Sequence, residues 1–218
     1  RGQTLAVVGG TGAGKTTLLK LLLRFLDADA GEVFVGGMNV KDVPQSELRS
    51  HLGYAPQKSA LLSGTIRENL AFADPSLSDE ALMAAADTAC AAEFITEKGG
   101  LQAEVAQGGR NFSGGQRQRL SIARAVAARP SYVLFDDSFS ALDFATDAKV
   151  RKNLKERFAG TTKVIVAQRI STVRDADVIV VLDHGKMAGA GTHEELLKTC
   201  PAYLEIAQSQ MTQEELAR

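Results

Sequence analysis

Several features that would assign this chain to a particular class of protein are scarce in it. Its two cysteines, Cys90 and Cys200, lie far apart and lack the spacing of metal ligands. They are typical of a reducing compartment, where a lone thiol is usually a small apolar side chain. The net charge is -1 and only 23% of residues are charged, so there is no basic excess and we expect no nucleic-acid partner.

Long apolar runs are also missing. A helix that spans a bilayer needs about 20 successive apolar residues, whereas the longest strand-like run covers only residues 178–182. No signal peptide, internal repeat or low-complexity linker is visible. Because the chain begins at Arg1 and enters a strand almost at once, we expect a soluble piece of a longer polypeptide whose membrane part lies elsewhere.

Short apolar runs alternate with helical patterns along much of the chain. The expected strands are 5–8, 132–135, 163–167 and 178–182, and the expected helices that follow them are 15–26, 147–158 and 194–197. Nearly all-apolar strands are typical of a parallel sheet covered on both faces. The alternation therefore predicts an α/β protein.

The middle of the chain, from about Ser78 to Ala128, has a helical composition and no convincing strand. We expect one helix over 79–92 with Ser78 as its N-cap, and another over 113–128 that ends before Pro130. The amphipathic tail, 201–218, is expected to be a docked or peripheral helix. A helical insertion thus interrupts the α/β core.

A glycine-rich loop follows the first strand. Residues 9–16, GGTGAGKT, match G-x-x-x-x-G-K-[ST] and open a helix. Glycines let backbone N–H groups curl around phosphate oxygens, and the helix start adds partial positive charge. Lys15 suits the β- and γ-phosphates and the Thr16 hydroxyl suits Mg²⁺. The nucleotide-binding residues predicted from this loop are Gly9, Thr11, Gly12, Ala13, Gly14, Lys15, Thr16 and Thr17. The loop alone predicts only a P-loop NTPase.

Two further elements narrow the class. The apolar strand 132–135 ends in Asp136 and Asp137, which is how P-loop enzymes deliver a carboxylate to Mg²⁺. Between the loop and this strand lies Phe112-Ser113-Gly114-Gly115-Gln116, a second anion-binding helix start. This segment resembles the LSGGQ signature of the ABC transporter family, with Phe112 in place of the leucine.

The resemblance extends over essentially the whole chain. Gln57 matches the Q-loop glutamine, residues 140–143 (SALD) match the D-loop, and Gln168 occupies the switch position. The family pattern implies a RecA-like α/β core (1–72 and 129–190), an inserted helical subdomain (73–128) and C-terminal helices (191–218). It implies ATP and Mg²⁺ as ligands, with Thr16, Gln57 and Asp136 around the metal.

The family also implies partners. Two such domains sandwich ATP head to tail, so that residues 112–116 serve the partner's ATP and the D-loop residues Ser140 and Asp143 cross the interface. Residues 61–70 (LLSGTIRENL) and 103–109 (AEVAQGG) are similar to segments of exporters. They imply transmembrane partners and a place at the cytoplasmic face of a membrane, with multidrug export as a family-level expectation. Gly108 stands where an arginine is usual. We therefore expect the contact of residues 103–109 with the transmembrane partner to be weakened or to be made elsewhere.

Two departures concern hydrolysis. The family's general base is a glutamate where this chain has Asp137, whose carboxylate is drawn back by more than ~1 Å, and such a misplacement can cost about 100-fold in rate. The switch histidine is replaced by Gln168, which can hydrogen-bond but not become cationic. Both changes predict a site that binds ATP and hydrolyses it slowly, with Asp137, Gln168 and Gln57 as its catalytic residues.

Three functional hypotheses follow. The chain resembles the degenerate half of a heterodimeric exporter, whose intact signature completes the partner's competent site. The alternatives are a fully active ATPase of a homodimeric exporter and a regulatory module that ATP dimerises without hydrolysis. A soluble repair or translation protein is disfavoured, since the chain shows no heptads. No aromatic residue precedes Gly9, so the family's adenine-stacking residue either lies outside this chain or is missing and base binding is weak.

Overall fold

The computed structural model describes residues 1–212. The strands of this part are β1 (Thr4–Gly9), β2 (Phe34–Val35), β3 (Met38–Asn39), β4 (Leu52–Ala55), β5 (Gly64–Thr65), β6 (Glu104–Val105), β7 (Tyr132–Asp136), β8 (Thr162–Val166), β9 (Val178–Asp183) and β10 (Lys186–Gly191). Its α-helices are α1 (Lys15–Leu22), α2 (Gln45–Ser50), α3 (Ile66–Leu70), α4 (Asp79–Thr88), α5 (Ala92–Glu97), α6 (Gly114–Ala127), α7 (Phe144–Arg157), α8 (Ile170–Val173), α9 (His193–Thr199) and α10 (Pro201–Gln208).

The chain divides into two compact units. One comprises residues 3–49 and the chain from Lys163 onward, and we name it the P-loop unit. The other comprises residues 1–2 and 50–162, and we name it the signature unit. Each unit is made of segments that are distant in sequence, so neither can be cut out as a single continuous stretch.

The P-loop unit is built on a mainly parallel group of strands. β1 lies between β8 and β9 and pairs with both in parallel, while β10 pairs with β9 antiparallel. Ala6, Val7 and Val8 of β1 are buried, as expected of a strand covered on both faces. The expected strands 5–8, 163–167 and 178–182 are confirmed to within a residue or two. β10 had not been expected, because its sequence, KMAGAG, lacks a β-branched run.

The signature unit combines two parallel strands with helices. β4 pairs with β7 in parallel, so that Leu52 lies opposite Tyr132. The long helix α6 buries Leu120, Ile122 and Val126 and packs on β4 and α4. The helical composition expected for residues 78–128 is confirmed, except that Glu104–Val105 forms a short strand, which pairs antiparallel with Gly64–Thr65 before it. Together the units confirm an α/β fold with mainly parallel strands.

Two helices end earlier than their apolar patterns predict. α1 stops at Leu22 rather than Leu26, and the single helix expected over 79–92 is wrong, since α4 stops at Thr88 and α5 starts at Ala92. Arg24 and Cys90, just beyond the two ends, have left-handed φ values of 49° and 55°. A residue in that conformation terminates a helix whatever side chain it carries.

The other helix predictions fared better. α6 follows its Ser113 N-cap as expected, whereas α7 begins at Phe144, ahead of the expected 147, because Asp143 caps it. The tail is helical over Pro201–Gln208, and residues 213–218 of the expected tail helix lie outside the described part. Among residues 1–212, no helix combines the length and the apolar character that crossing a membrane requires.

Candidate nucleotide site

Residues 9–14 form a tight loop between β1 and α1. Gly12 and Gly14 have φ values of 80° and 99°, which side chains with a Cβ avoid. A Cβ on Gly9 would lie 2.2 Å from the carbonyl oxygen of Leu182, so β9 leaves no room there for any other residue. The backbone N–H of Ala13 donates to the carbonyl of Gly10 at 3.2 Å and closes the loop.

The Lys15 ammonium is held over this loop. Its Nζ lies 2.8 Å from the carbonyl oxygens of both Gly9 and Gly10. The start of α1 contributes partial positive charge next to it. A Cβ added at Gly10 or Gly12 would meet nothing within 4 Å, so the concave side of the loop is open. The loop can therefore accept an anion of phosphate size against backbone N–H groups and one cation.

The remaining loop residues differ in their exposure. Thr11 and Thr17 are exposed, and Thr16 is half-buried in the first turn of α1. Ala13 is buried. A threonine hydroxyl at position 16 is the oxygen donor that Mg²⁺ requires beside a bound phosphate. Within the P-loop unit, the donor set thus fits a nucleotide phosphate and one metal ligand.

In the signature unit, two aspartates lie at the end of β7, Asp136 as its last residue and Asp137 directly after it. Asp136 and Asp137 are both buried. The Tyr54 hydroxyl donates to Oδ2 of Asp136 at 3.3 Å, and burial, together with that carboxylate, raises the pKa of Tyr54 to about 12. The amide Nε2 of Gln57 donates to Oδ2 of Asp137 at 3.2 Å. The structure therefore brings together two of the predicted catalytic residues, Gln57 and Asp137.

Asp137 has an unusual backbone. Its φ is 47°, in the left-handed region where aspartate is better tolerated than most side chains. The Ser140 hydroxyl donates to the Asp137 carbonyl at 2.8 Å, and the buried Ser138 hydroxyl donates to the Ala55 carbonyl at 2.6 Å. These bonds tie the acidic turn to the D-loop on one side and to β4 on the other.

The segment after Gln57 is attached to α6. The Gln118 side chain donates to the Pro56 carbonyl at 3.4 Å and is hydrogen-bonded to the Ser59 hydroxyl. Arg124 donates to the Ala60 carbonyl at 2.9 Å. A shift of α6 along its axis must therefore pull on the loop that carries Gln57. The sequence reading did not single out Gln118 or Arg124, because their partners are backbone carbonyls far away in sequence.

The signature segment forms the capped start of α6. The Ser113 hydroxyl accepts from the Gln116 N–H, and the Gln116 side chain accepts from the Ser113 N–H, at 3.2 and 3.0 Å. The Phe112 ring is buried edge-on against Phe94. Phe112 therefore offers its backbone rather than its side chain to a ligand at the surface.

Two glycines stand in the first turn of α6, where a helix would favour alanine. Each costs about 1 kcal/mol relative to alanine in a helix interior. The nearest atom to a Cβ on Gly114 would be Arg117 at 4.0 Å, and on Gly115 the Ala141 carbonyl at 3.6 Å. Nothing within the unit thus requires either residue to be glycine. The exposed helix start is open to close approach by something outside the chain.

The D-loop and the switch segment, residues 168–170, complete the set of predicted residues. Asp143 is the N-cap of α7, and its hydrogen bonds from Thr146 lower the pKa of its carboxyl. Gln168 lies in the P-loop unit, between β8 and α8, and is exposed. Its carbonyl accepts from the Gln210 side chain at 2.8 Å.

No group of three or more His, Cys, Asp or Glu residues within 1–212 is arranged to hold a metal ion. Magnesium commonly takes one or two carboxylates and completes its shell with hydroxyls, water and substrate phosphates. The predicted donors Thr16, Gln57 and Asp136 are of this mixed type. Taken one by one, these side chains carry the kind of oxygen that Mg²⁺ accepts beside a nucleotide phosphate.

Comparisons with known proteins decide the family. The model of the family described as ABC transporter matches residues 1–140. The chain belongs to the ABC transporter family. It is 48% identical over 212 residues to an uncharacterised ABC transporter ATP-binding protein of Mycobacterium tuberculosis, covering 96% of this chain and 36% of the relative.

Two further ABC proteins are similar over nearly the whole chain. A β-(1→2)-glucan export ATP-binding/permease protein of Rhodopseudomonas palustris is 41% identical over 218 residues, covering 100% of this chain and 36% of the relative. The structure of a bacterial Atm1-family ABC exporter with ATP bound superimposes with a TM-score of 0.91 and 37% identity, covering 95% of this chain and 37% of that one. The chain spans little more than a third of the length of these ABC relatives.

The residues that match the ABC family pattern are divided between the two units. Gln57, Asp136, Asp137, the signature start and the D-loop belong to the signature unit, while the phosphate loop and Gln168 belong to the P-loop unit. Tyr54 is the residue that sequence reasoning missed at the acidic turn. Its role arises from the parallel register that sets Tyr54 beside Leu134, for which the sequence carries no local signal.

Proposed function

We propose that this chain is the nucleotide-binding domain of an ABC exporter, in which it binds MgATP and dimerises with a second such domain. The observation that carries this is the open glycine start of α6, which has no need of glycine within its own unit. An ATP γ-phosphate presented by a partner domain is the kind of ligand that a capped, Cβ-free helix start accepts. The export role is supported by the similar glucan exporter and by the similar exporter structure.

Within this proposal each predicted residue has a part. Lys15 and the loop N–H groups hold the β- and γ-phosphates, and Thr16, Gln57 and Asp136 supply oxygens to the Mg²⁺ that accompanies ATP. Bound Mg²⁺ would draw charge from the phosphates and favour attack by water. Ser140 and Asp143 lie at the interface with the second domain. The transmembrane partners of the transporter would sit at the cytoplasmic side of a membrane.

We further propose that the chain's own site hydrolyses ATP slowly. Asp137 is one methylene shorter than glutamate, and its carboxylate is engaged by Gln57 at 3.2 Å. A base that is drawn back and already hydrogen-bonded is poorly placed to take a proton from an attacking water. Gln168 cannot supply a positive charge. The competent site would then be the partner's, completed by this chain's Ser113–Gln116.

The two halves of the proposal are separable by comparing two substitutions in the natural full-length protein with its partner. Gly115→Asp places a carboxylate at the helix start that would face the partner's ATP, and we expect a loss of ATPase activity on the order of 100-fold. Asp in the first turn suits the helix dipole, so α6 should still form. Lys15→Ala, in the slow site, should cost about tenfold or less, since that site contributes binding rather than turnover.

Gly160→Asp is the matched control, because a Cβ on Gly160 meets nothing within 4 Å and Gly160 lies outside the signature start. It should leave the rate unchanged. Equal losses for Gly115→Asp and Lys15→Ala would instead indicate a homodimeric exporter with two equivalent sites. No measurable ATPase in any variant, with ATP-dependent dimerisation preserved, would indicate the regulatory module.

A further inference from the structure

The C-terminal segment is anchored in the P-loop unit by a buried tyrosine. Tyr203 of α10 is fully buried, and its hydroxyl lies 2.7 Å from Nδ1 of His193, at the start of α9. The two rings meet edge to face with centroids 5.7 Å apart. Burial raises the pKa of Tyr203 to about 12, so the hydroxyl keeps its proton at physiological pH. Ala207, one turn further on, is buried as well.

The buried Tyr203 and Ala207 hold α10 in place, and the side chain of Gln210, just beyond α10, contacts the switch segment. The backbone N–H groups of Gln210 and Met211 both donate to the Ala207 carbonyl, at 3.0 and 2.9 Å, which holds the turn after α10. From this turn the Gln210 amide reaches back about forty residues in the sequence. Its Nε2 donates to the Gln168 carbonyl at 2.8 Å, and its Oε1 accepts from the Ile170 N–H at 2.9 Å. One amide group therefore holds the backbone on both sides of Arg169.

The bond to Ile170 meets a need of α8. Ile170 is the first residue of this four-residue helix, and the first N–H groups of a helix have no partner within it. An N-cap side chain serves the second or third N–H of a helix and not the first, and the Arg169 side chain has no acceptor to offer in any case. Gln210 supplies the acceptor instead. A short helix without a cap of its own thus depends on the tail for its start.

We propose that Gln210 is a positioning residue for hydrolysis, which fixes the backbone from the Gln168 carbonyl to the Ile170 N–H and so directs the Gln168 side chain. This rests on the proposed function, in which Gln168 stands at the switch position of the chain's own ATP site. It follows that the docking of α10 and the geometry of the switch segment are coupled. When the tail undocks, residues 168–170 lose two hydrogen bonds at once, and the Gln168 amide loses its fixed direction.

The test uses Gln210→Met in the natural full-length protein with its partner. Methionine has a similar length and no strong hydrogen-bonding group. Hydrogen exchange of the peptide that covers residues 168–174, followed by mass spectrometry, should be about threefold to tenfold faster at the Ile170 N–H, which loses its acceptor on Gln210. Gln208→Met is the matched control, since Gln208 is an exposed neighbour at the end of α10, and it should leave this exchange unchanged.

The catalytic consequence is read in a Gly115→Asp background, where the partner's site is silenced and single-turnover hydrolysis reports this chain's own site. Gln210→Met should lower kcat by about threefold to tenfold and leave KM within about twofold, because a group that orients the reacting centre affects turnover more than binding. Unchanged exchange would overturn the proposal. Faster exchange with unchanged kcat, or a rise in KM alone, would also overturn it, since Gln210 would then be merely structural.

Gln210→Glu separates the two hydrogen bonds. Its carboxylate still accepts from the Ile170 N–H, at a helix start that favours negative charge, but it offers no donor to the Gln168 carbonyl. We expect exchange at Ile170 to stay slow while kcat falls as in Gln210→Met. Equal kcat for Gln210→Glu and the parent would place the effect in the cap of α8 and contradict a role at residue 168. If the parent shows no hydrolysis at its own site, the role of Gln210 in hydrolysis fails together with the slow-site proposal. Faster exchange in Gln210→Met would then show only that the tail holds the backbone of residues 168–170.

Discussion

At the residue scale, the acidic turn after β7 shows how neighbouring carboxylates are kept in different surroundings. Asp136 accepts from a tyrosine hydroxyl, whereas Asp137 accepts from the Gln57 amide. The first contact belongs to a group that we assign to Mg²⁺, and the second to the group that stands where the family has its base. Each carboxylate therefore has its own hydrogen-bond donor, and each donor can be removed without touching the acid.

Tyr54→Phe should weaken the response to Mg²⁺. The hydroxyl orients Asp136, and loss of such an outer partner commonly costs about 10- to 100-fold in metal affinity, so we expect the low end, about tenfold, for a bond of 3.3 Å. The Mg²⁺ dependence of ATP retention by the full-length protein is the measurement. Tyr132→Phe, on the neighbouring strand β7, is the control. A Mg²⁺ dependence identical in the two variants would remove Tyr54 from the site.

The residues of the candidate site were predictable from sequence to the extent that their roles are local. The phosphate loop and the helix start at Ser113 each need a fixed residue spacing, so a short stretch of sequence is sufficient. Tyr54, Gln118 and Gln210 act through partners set by strand register, helix packing and tail docking. No pattern within a few residues of them specifies those partners, which is why the sequence reading passed over them.

At the element scale, the ends of the helices carry most of the difference between sequence and structure. α1, α4 and α6 are each followed by a left-handed residue that is not glycine, namely Arg24, Cys90 and Arg129. At α4 the N–H of Cys90 bonds the Asp87 carbonyl and the N–H of Ala91 bonds the Ala86 carbonyl, which is the Schellman pattern. Glycine is the usual sequence sign of such a helix end. Because no glycine stands at Arg24 or Cys90, the apolar pattern predicted that α1 and α4 would continue beyond their actual ends.

This arrangement makes a stability prediction at Cys90. A residue with a Cβ is strained in the left-handed conformation, so Cys90→Gly should be more stable than Cys90→Ala by about 0.5–1 kcal/mol. Both variants remove the thiol, and their difference isolates the backbone. Urea unfolding followed by circular dichroism gives the comparison. An alanine variant as stable as the glycine variant would show that the left-handed turn is not maintained in solution.

At the scale of the whole molecule, the strand and helix order was predictable because apolar periodicity is repeated in every βα step. The division into a P-loop unit and a signature unit was not, since each unit joins segments that are far apart in the chain. The proposed roles follow the same division. The phosphate loop lies in one unit, while the acidic turn and the signature start lie in the other.

The proposed asymmetry also belongs to this scale. It rests on an intact phosphate loop and signature together with Asp137 and Gln168, from which we propose a domain that binds ATP at one site and serves catalysis at another. Restoring the family residues at 137 and 168 should therefore create activity where the natural chain has little. No other pair of substitutions in this chain addresses the claim so directly.

The decisive measurement is single-turnover hydrolysis of MgATP by the Asp137→Glu, Gln168→His variant, in the full-length protein whose partner site is silenced by Gly115→Asp. The account predicts a slow parent and a gain on the order of 100-fold in the variant, because the longer side chain recovers about 1 Å of reach. Asp183→Glu with Gln208→His is the matched control and should not change the rate. A parent that already turns over at about 1–10 s⁻¹, or a variant that gains nothing, would contradict it.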